Sequence, residues 1–325
     1  LIALLVLRCM TLCVLTRIPA HATRRTHGRA LPAALLSALL PCACALAALA
    51  PPARPAEPAA PTLKVYAAGD IAECAGDPAE SAAAATARLI PDGAPVLVLG
   101  DAAYRYADAA TLAACYAPTW GRHLAHTYAV PGNHDYVAGS PRDFLAYFGG
   151  RRRTWFRTAL GDWWLIGLDS NLRDENLKRQ LRWLRRELAT IAGDRRCIVA
   201  LWHHALFSTG LHRGDGAPMK SAWRTLDAAG ADLVLSGHEH FYESFEPRDA
   251  DGKPQPSGIR EFVVGTGGAG LRDVSLSGEH RAFAREYGVL ELELAAGGYR
   301  WAFRTMDGVV RDAGESPCRR AAQSR

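Results

Sequence analysis

Apolar residues run in short blocks along much of this chain, and the blocks stop at a Gly or directly at a polar side chain. Strand-like runs of this kind cover Leu63–Ala68, Pro95–Leu99, Thr127–Val130, Trp163–Leu168, Cys197–Trp202 and Asp232–Leu235. Their near-continuous hydrophobicity predicts strands covered on both faces. Between them, helical patterning covers Asp77–Ile90, Asp108–Trp120, Glu175–Ile191 and Met219–Ala229. In the third of these, Leu177, Leu181, Leu184 and Leu188 recur at i, i+4, i+7 and i+11, one face of an amphipathic helix. Strand–helix alternation predicts an α/β fold. The last third turns β-rich, with Arg260–Val264, Tyr287–Leu294 and Tyr299–Thr305, the last two joined as a hairpin through Gly297-Gly298.

The first sixty-one residues have another pattern. Arg24, Arg25 and Arg29 precede an apolar stretch, Leu31 to Ala50, that ends in small residues. This is the layout of a secretory signal, and it predicts an exported, periplasmic or extracellular protein with residues 1–50 as leader. A membrane anchor is the competing reading, because about twenty apolar residues can span a bilayer. Pro32 and Pro41 interrupt the run and favour cleavage, so no lasting membrane insertion is expected. Cys42 and Cys44 raise a lipoprotein, but Pro41 is not the small residue expected before a lipidated Cys. Arg24-Arg25 resembles a twin-Arg signal only loosely. Residues 51–62, rich in Pro and Ala, read as a linker. The stretch 63–318 is long enough for one domain, with 319–325 as a tail.

Composition changes the picture once the leader is set aside. The chain carries a formal +5, and its first sixty-one residues hold six Arg against one Glu, which is all of that excess. Residues 62–325 therefore have 32 basic and 32 acidic groups, so nucleic-acid binding is not expected. Four cysteines remain there, Cys74, Cys115, Cys197 and Cys318. An even number in an oxidising compartment favours two disulfides, with three connectivities open. Cys74–Cys115 is preferred because both come after adjacent predicted strands, which leaves Cys197–Cys318 to tie down the C-terminus.

The chemistry sits at the strand ends. Gly69-Asp70 and Gly100-Asp101 each place a carboxylate just past a strand, where α/β proteins commonly put ligands. One such Asp is usually a cap or turn former. Two converging on one edge are costly to bury unless a cation offsets them. Gly132-Asn133-His134-Asp135 repeats the placement, offering a neutral carbonyl ligand and a titratable donor. His203-His204 ends the strand from Cys197, and Gly237-His238-Glu239-His240 adds two imidazoles with Glu239 projecting the other way. Of the eleven histidines, five fall in these motifs and the other six show no pattern. Gly265-Thr266-Gly267-Gly268-Ala269-Gly270 matches a dinucleotide fingerprint, but no helix pattern comes after it, so it reads as a flexible loop near the cleft.

In that order the motifs Gly-Asp, Gly-Asp-x-x-Tyr, Gly-Asn-His-Asp, His after a strand, and Gly-His-x-His resemble the calcineurin-like metallophosphoesterase superfamily. Tyr104 resembles its purple acid phosphatase-like branch. Tyr242-Glu243 and Val263-Val264-Gly265-Thr266-Gly267-Gly268 are further echoes, and the resemblance spans about residues 63–310. It implies a four-layer αββα sandwich of two mixed sheets flanked by helices, with a binuclear metal centre. It also implies hydrolysis of phosphate monoesters of small molecules or nucleotides by in-line attack of a metal-bound hydroxide. The other outcomes are a phosphodiesterase or nucleotide hydrolase on the same site, or a non-catalytic phosphate-binding protein.

Carried over by motif, one metal falls to Asp70, Asp101, Tyr104 and His240. The second falls to Asp101, Asn133, His203 and His238, with Asp101 bridging. His134 is the expected proton donor to the leaving oxygen, with His204 as helper. Three departures stand out. Ala72 lies where many relatives have His, so Tyr104 must compensate. A phenolate favours a hard ion, which suggests Fe(III) beside Tyr104 and Zn, Mn or Fe(II) in the other site. Ala205 and Ser244, where Pro and Arg are common, point to a changed substrate rim.

Overall fold

A computed structural model describes residues 62–272 and 280–319 of the chain. The leader expected over 1–50, most of the linker, Cys42 and Cys44, the stretch after Arg272 and the end of the tail lie outside the described residues. In chain order the elements are β1 (Leu63–Ala68), β2 (Ala72–Glu73), α1 (Ala82–Ala87), β3 (Val96–Val98), β4 (Ala103–Tyr104), α2 (Ala109–Thr111) and β5 (Thr127–Ala129). Then come α3 (Arg142–Tyr147), β6 (Phe156–Leu160), β7 (Trp163–Gly167), α4 (Asp174–Thr190), β8 (Cys197–His204), α5 (Lys220–Ala228), β9 (Leu233–Gly237) and β10 (Tyr242–Ser244). The last are β11 (Arg260–Val264), β12 (Ala282–Ala284), β13 (Gly288–Ala295), β14 (Gly298–Thr305) and β15 (Val310–Pro317).

Two mixed sheets form the body. One has the order β15-β14-β13-β1-β3-β5, the other β12-β10-β11-β9-β8-β7-β6, and β2 pairs with β4 on its own. β1, β3 and β5 are parallel, and so are β7, β8, β9 and β11. The expected architecture of two mixed sheets with helices is present. Val65, Leu97, Leu290 and Leu292 from the first sheet share one core with Leu165, Leu201, Leu235 and Phe262 from the second. The second sheet's other face meets α4 and α5 through Ile166, Trp202, Leu184, Trp223 and Leu226. Double coverage is why β8 is buried at every position. β13 shows the other regime: Leu290, Leu292 and Leu294 point inward, while Glu291 and Glu293 face outward and pair with Lys64.

Local chemistry explains where the helices depart from their patterns. Over 77–90 the helix is split, because Pro78–Glu80 forms one 3-10 turn and the Ser81 side chain then caps α1 by accepting from Ala84 N–H at 3.1 Å. Over 108–120, α2 passes into a π turn at Leu112–Tyr116. The Thr119 hydroxyl then bonds back to the carbonyls of Cys115 and Tyr116 and ends it. The long Leu-patterned helix and the Gly297 hairpin stand as expected. The four cysteines pair as Cys74–Cys115 and Cys197–Cys318. Among the described residues no helix is long and apolar enough to cross a membrane.

Candidate metal centre

The parallel strands of both sheets end on one edge, and the polar motifs meet there. Asp70 comes after β1, Asp101 after β3, and Asn133 and His134 after β5, while His203 and His204 end β8, and His238 and His240 come after β9. The sheets are stitched at this edge by Gly69 N–H to Val264 O (2.8 Å) and His203 Nδ1–H to Leu99 O (2.8 Å). Three of the converging residues hold left-handed backbone: Asp70 (φ 57°), Asp101 (φ 52°) and His238 (φ 71°). Such conformations are costly for a side chain and persist where surrounding structure enforces them.

Asp70 and Asp101 are 0% and 1% exposed. The Tyr104 hydroxyl donates to Asp70 Oδ1 at 2.7 Å and lies 2.9 Å from Asp101 Oδ2 and 3.1 Å from His240 Nε2. Asp70 Oδ2 accepts from His238 N–H (2.8 Å), and Asp101 Oδ1 accepts from His134 N–H (2.8 Å). His203 Nε2 stands 3.3 Å from Asp101 Oδ2, 3.1 Å from Asn133 Oδ1 and 3.2 Å from His238 Nδ1. His240 donates Nδ1–H to Gly270 O (2.7 Å), which turns its Nε2 toward Asp70 Oδ1 at 3.3 Å. All seven residues expected as ligands therefore converge. Ala72 sits buried beside Ala103 in the β2–β4 pair and offers no donor, whereas Tyr104, one step along β4, reaches both carboxylates.

Electrostatics define what the cluster needs. Among the described residues neither Asp70 nor Asp101 pairs with a Lys or Arg; their charged neighbours are imidazoles. Burial opposes ionisation of Asp70, but His240, His203 and Tyr104 outweigh it and hold its pKa below the carboxylate range. Burial alone would lower His203, yet Asp101 and Asp70 raise it to about 9. Imidazoles, which can give up a proton and become ligands, are thus the charged groups that face the two carboxylates. Burial, then Asp70 and Asp101, hold the Tyr104 phenol well above its ordinary pKa. Oxygen and imidazole donors aimed at one another fit metal ions of the borderline and hard classes.

Glycines make the approach possible. A Cβ on Gly132 would lie 2.1 Å from Asp101 Oδ1, and one on Gly265 would lie 2.0 Å from Glu239 O. The Gly265–Gly270 run, expected to be flexible, is instead packed. Residues 265–269 are buried, with Gly267 N–H bonded to Gly69 O and Ala269 N–H to Asp70 O. Its glycines serve close contact with the end of β1 rather than a pyrophosphate.

Other expectations change. Ser244, expected near the substrate rim, is buried in the sheet, where its hydroxyl donates to Asp312. Ala205 is likewise buried, in a small cluster with Phe245 and Val263. His204 is buried, 2.7 Å from the Ser170 hydroxyl, and burial followed by His203 and His238 holds it in the neutral form. Several residues had no assigned role in the sequence. Asp135 accepts N–H bonds from Gly132 (2.7 Å), Asp101 (2.8 Å) and Ala102 (3.1 Å), locking two loops together. His212 and Asp215, on the loop between β8 and α5, reach His238, with Asp215 Oδ2 3.0 Å from His238 Nε2. The only sequence signal for them is a His and an Asp set among Gly210, Gly214 and Gly216.

Comparison with known proteins agrees with this geometry. The family model for calcineurin-like phosphoesterases matches residues 63–242, over half of the chain. Purple acid phosphatase 22 of Arabidopsis thaliana is 36% identical over 94 residues, covering 27% of this chain and 21% of that protein. The match thus spans about a fifth of that relative's length. Among solved structures, purple acid phosphatase PPD1 from yellow lupin (Lupinus luteus) seeds is similar with TM-score 0.61 and 16% identity, over 79% of this chain and 54% of that one. GAP50, described as the anchor in the inner membrane complex of Plasmodium, gives TM-score 0.60 and 15% identity, over 79% and 89%. At these identities the structures show the fold alone. The chain belongs to the calcineurin-like phosphoesterase family, metal-dependent phosphoesterases with a dinuclear site.

Proposed function

We propose that this member of the family hydrolyses phosphate monoesters of small molecules at a two-metal centre bridged by Asp101. The observation that carries the reading is the pair Asp70 and Asp101, fully buried among imidazoles, with neither a guanidinium nor an ammonium beside them among the described residues. Burying two carboxylates this way costs several kcal/mol unless cations offset it. One metal falls to Asp70, Asp101, Tyr104 and His240, the other to Asp101, Asn133, His203 and His238. When bound, the two ions supply polarisation of the phosphoryl oxygens and an activated water.

The chain's own residues position and move protons. His134 donates Nδ1–H to Arg105 O at 2.5 Å, which leaves Nε2 facing the centre, 4.0 Å from Asp101 Oδ2. Its ring lies against Tyr104, with centroids 4.5 Å apart, and stays part-exposed, so a protonated Nε2 can serve a leaving oxygen. His204, the expected helper, is held neutral by burial, and in this reading it packs against His238 (centroids 4.4 Å apart) rather than donating. A phenolate oxygen favours a hard, strongly acidic ion, so the site beside Tyr104 is read as Fe(III), with Zn, Mn or Fe(II) in the other. Two disulfides support export.

Because a Plasmodium anchor protein shares the fold, turnover is the deciding measurement. Release of p-nitrophenol from the monoester well above that from bis(p-nitrophenyl) phosphate is expected, with two metal equivalents per chain. Preference for the diester would favour the phosphodiesterase, and no turnover of either with both metals bound would leave a phosphate-binding protein.

A further inference from the structure

The three imidazoles aimed into the centre are not held alike. His203 and His240 each donate Nδ1–H to a backbone carbonyl, Leu99 O at 2.8 Å and Gly270 O at 2.7 Å. His238 is turned round: its Nδ1 faces His203 Nε2 at 3.2 Å, and its Nε2 lies 3.0 Å from Asp215 Oδ2. The same oxygen is 3.2 Å from His212 Nδ1, and Arg272 Nη1 contacts His212 Nε2. These contacts allow one assignment of protons. A carboxylate only accepts, so both His212 Nδ1–H and His238 Nε2–H donate to Asp215. That leaves the Nδ1 lone pair of His238 facing the centre.

Asp215 is half-exposed, yet its loop is built in. Buried Glu239 accepts from His212 N–H (2.8 Å), and buried Glu261 accepts from Leu206 N–H (3.1 Å) and Phe207 N–H (2.9 Å). Glu243 takes the Thr209 hydroxyl at 2.6 Å, and a Cβ on Gly216 would lie 2.0 Å from Ala205 O. Three buried carboxylates therefore fix where Asp215 stands.

We propose that Asp215 is the positioning residue for His238, giving one of the two metal sites a carboxylate-backed imidazole that the Tyr104 site lacks. The proposal rests on the two-metal reading. A carboxylate behind a ligating imidazole fixes its tautomer and raises its basicity, and losing such a partner typically costs about 10–100-fold in metal affinity.

The test is calorimetric titration of the metal-stripped full chain with Zn²⁺, with elemental analysis after dialysis. The wild type should bind two equivalents. Asp215→Ala should keep one at wild-type affinity and bind the second about 10–100-fold more weakly. Asp215→Asn, whose amide oxygen can take the place of Oδ2, should recover most of that loss, which a purely structural loop contact would not predict. Wild-type affinity for both equivalents in Asp215→Ala overturns the assignment of Asp215 alone. Equal weakening of both equivalents in the two variants also overturns it, since that is a general structural effect. A wild type that binds no Zn²⁺ overturns the two-metal reading instead.

Discussion

Asp312 and the pair Asp70–Asp101 are buried acids within one domain, and they are satisfied in different ways. Asp312, on β15, accepts from Tyr242 OH (2.6 Å), Ser244 Oγ (2.9 Å) and Trp301 Nε1 (3.1 Å), and the Arg281 guanidinium pairs with it. Asp70 and Asp101 also receive a tyrosine hydroxyl and backbone N–H groups, but imidazoles stand where the guanidinium would be. A guanidinium cannot give up its proton, so the Asp312 cluster is complete as folded. An imidazole can, and its nitrogen then becomes a ligand. The difference teaches that burial of an acid is not in itself a sign of a metal; the sign is burial beside neutral-capable donors only.

The comparison breaks most visibly at Asp101. Asp101→Ala should remove both metals, and turnover should fall by more than about 10³-fold, since stabilisation of developing charge is commonly worth that much. Metal analysis beside a p-nitrophenyl phosphate assay reads both, and retention of one metal would show that Asp101 does not bridge. His134→Ala should spare metal content while slowing turnover by about 10²-fold or more, the usual scale of a general acid. Loss of metal in that variant would move His134 from proton donor to ligand.

A matched pair of tyrosine variants sharpens the contrast further. Tyr242→Phe leaves Asp312 short of a donor and should cost about 1–3 kcal/mol in urea unfolding, with turnover unchanged. Tyr104→Phe likewise leaves buried Asp70 short of a donor and should lower the unfolding midpoint of the metal-free protein by a comparable amount. Unlike Tyr242→Phe, it should also remove the metal beside Asp70, together with any tyrosinate-to-iron absorption band. If both variants lost stability alike and both kept two metals, the two clusters would be the same kind of structure.

Much of the centre was legible because it is written in local patterns. Gly-Asp, Gly-Asn-His-Asp and Gly-His-x-His each sit where one apolar run stops, and parallel strands carry such ends to a single edge. The long elements β8, α4 and the β13–β14 hairpin were readable for the same reason, since burial imprints a period over many residues. The features that stayed hidden depend on partners distant in sequence. β2 and β4 are two residues each and exist only by pairing with one another. Asp135 works by reaching N–H groups on another loop, and Asp215 is placed by glutamates from other parts of the sheet edge. Ser244 reaches Asp312 inside the sheet rather than the substrate rim, and the cation at that acid, Arg281, comes from beside β12.

The finest test of the contrast is acid. Burial works against ionisation of Asp312, but Tyr242, Arg281 and Ser244 outweigh it, so its folded pKa lies below the ordinary 3.8. A depressed carboxylate stabilises the fold at pH values above its unfolded pKa, and the contribution fades as pH falls through the folded one. The stability gap between wild type and Asp312→Asn should therefore be constant from pH 7 down to about 4 and narrow below that. Urea midpoints of the metal-free proteins across pH 3–7 measure it without interference from metal release. A gap that stays constant to pH 3 would mean Asp312 is not held ionised by its donors. The Arg281 cluster would then no longer be the self-sufficient counterpart of the metal centre.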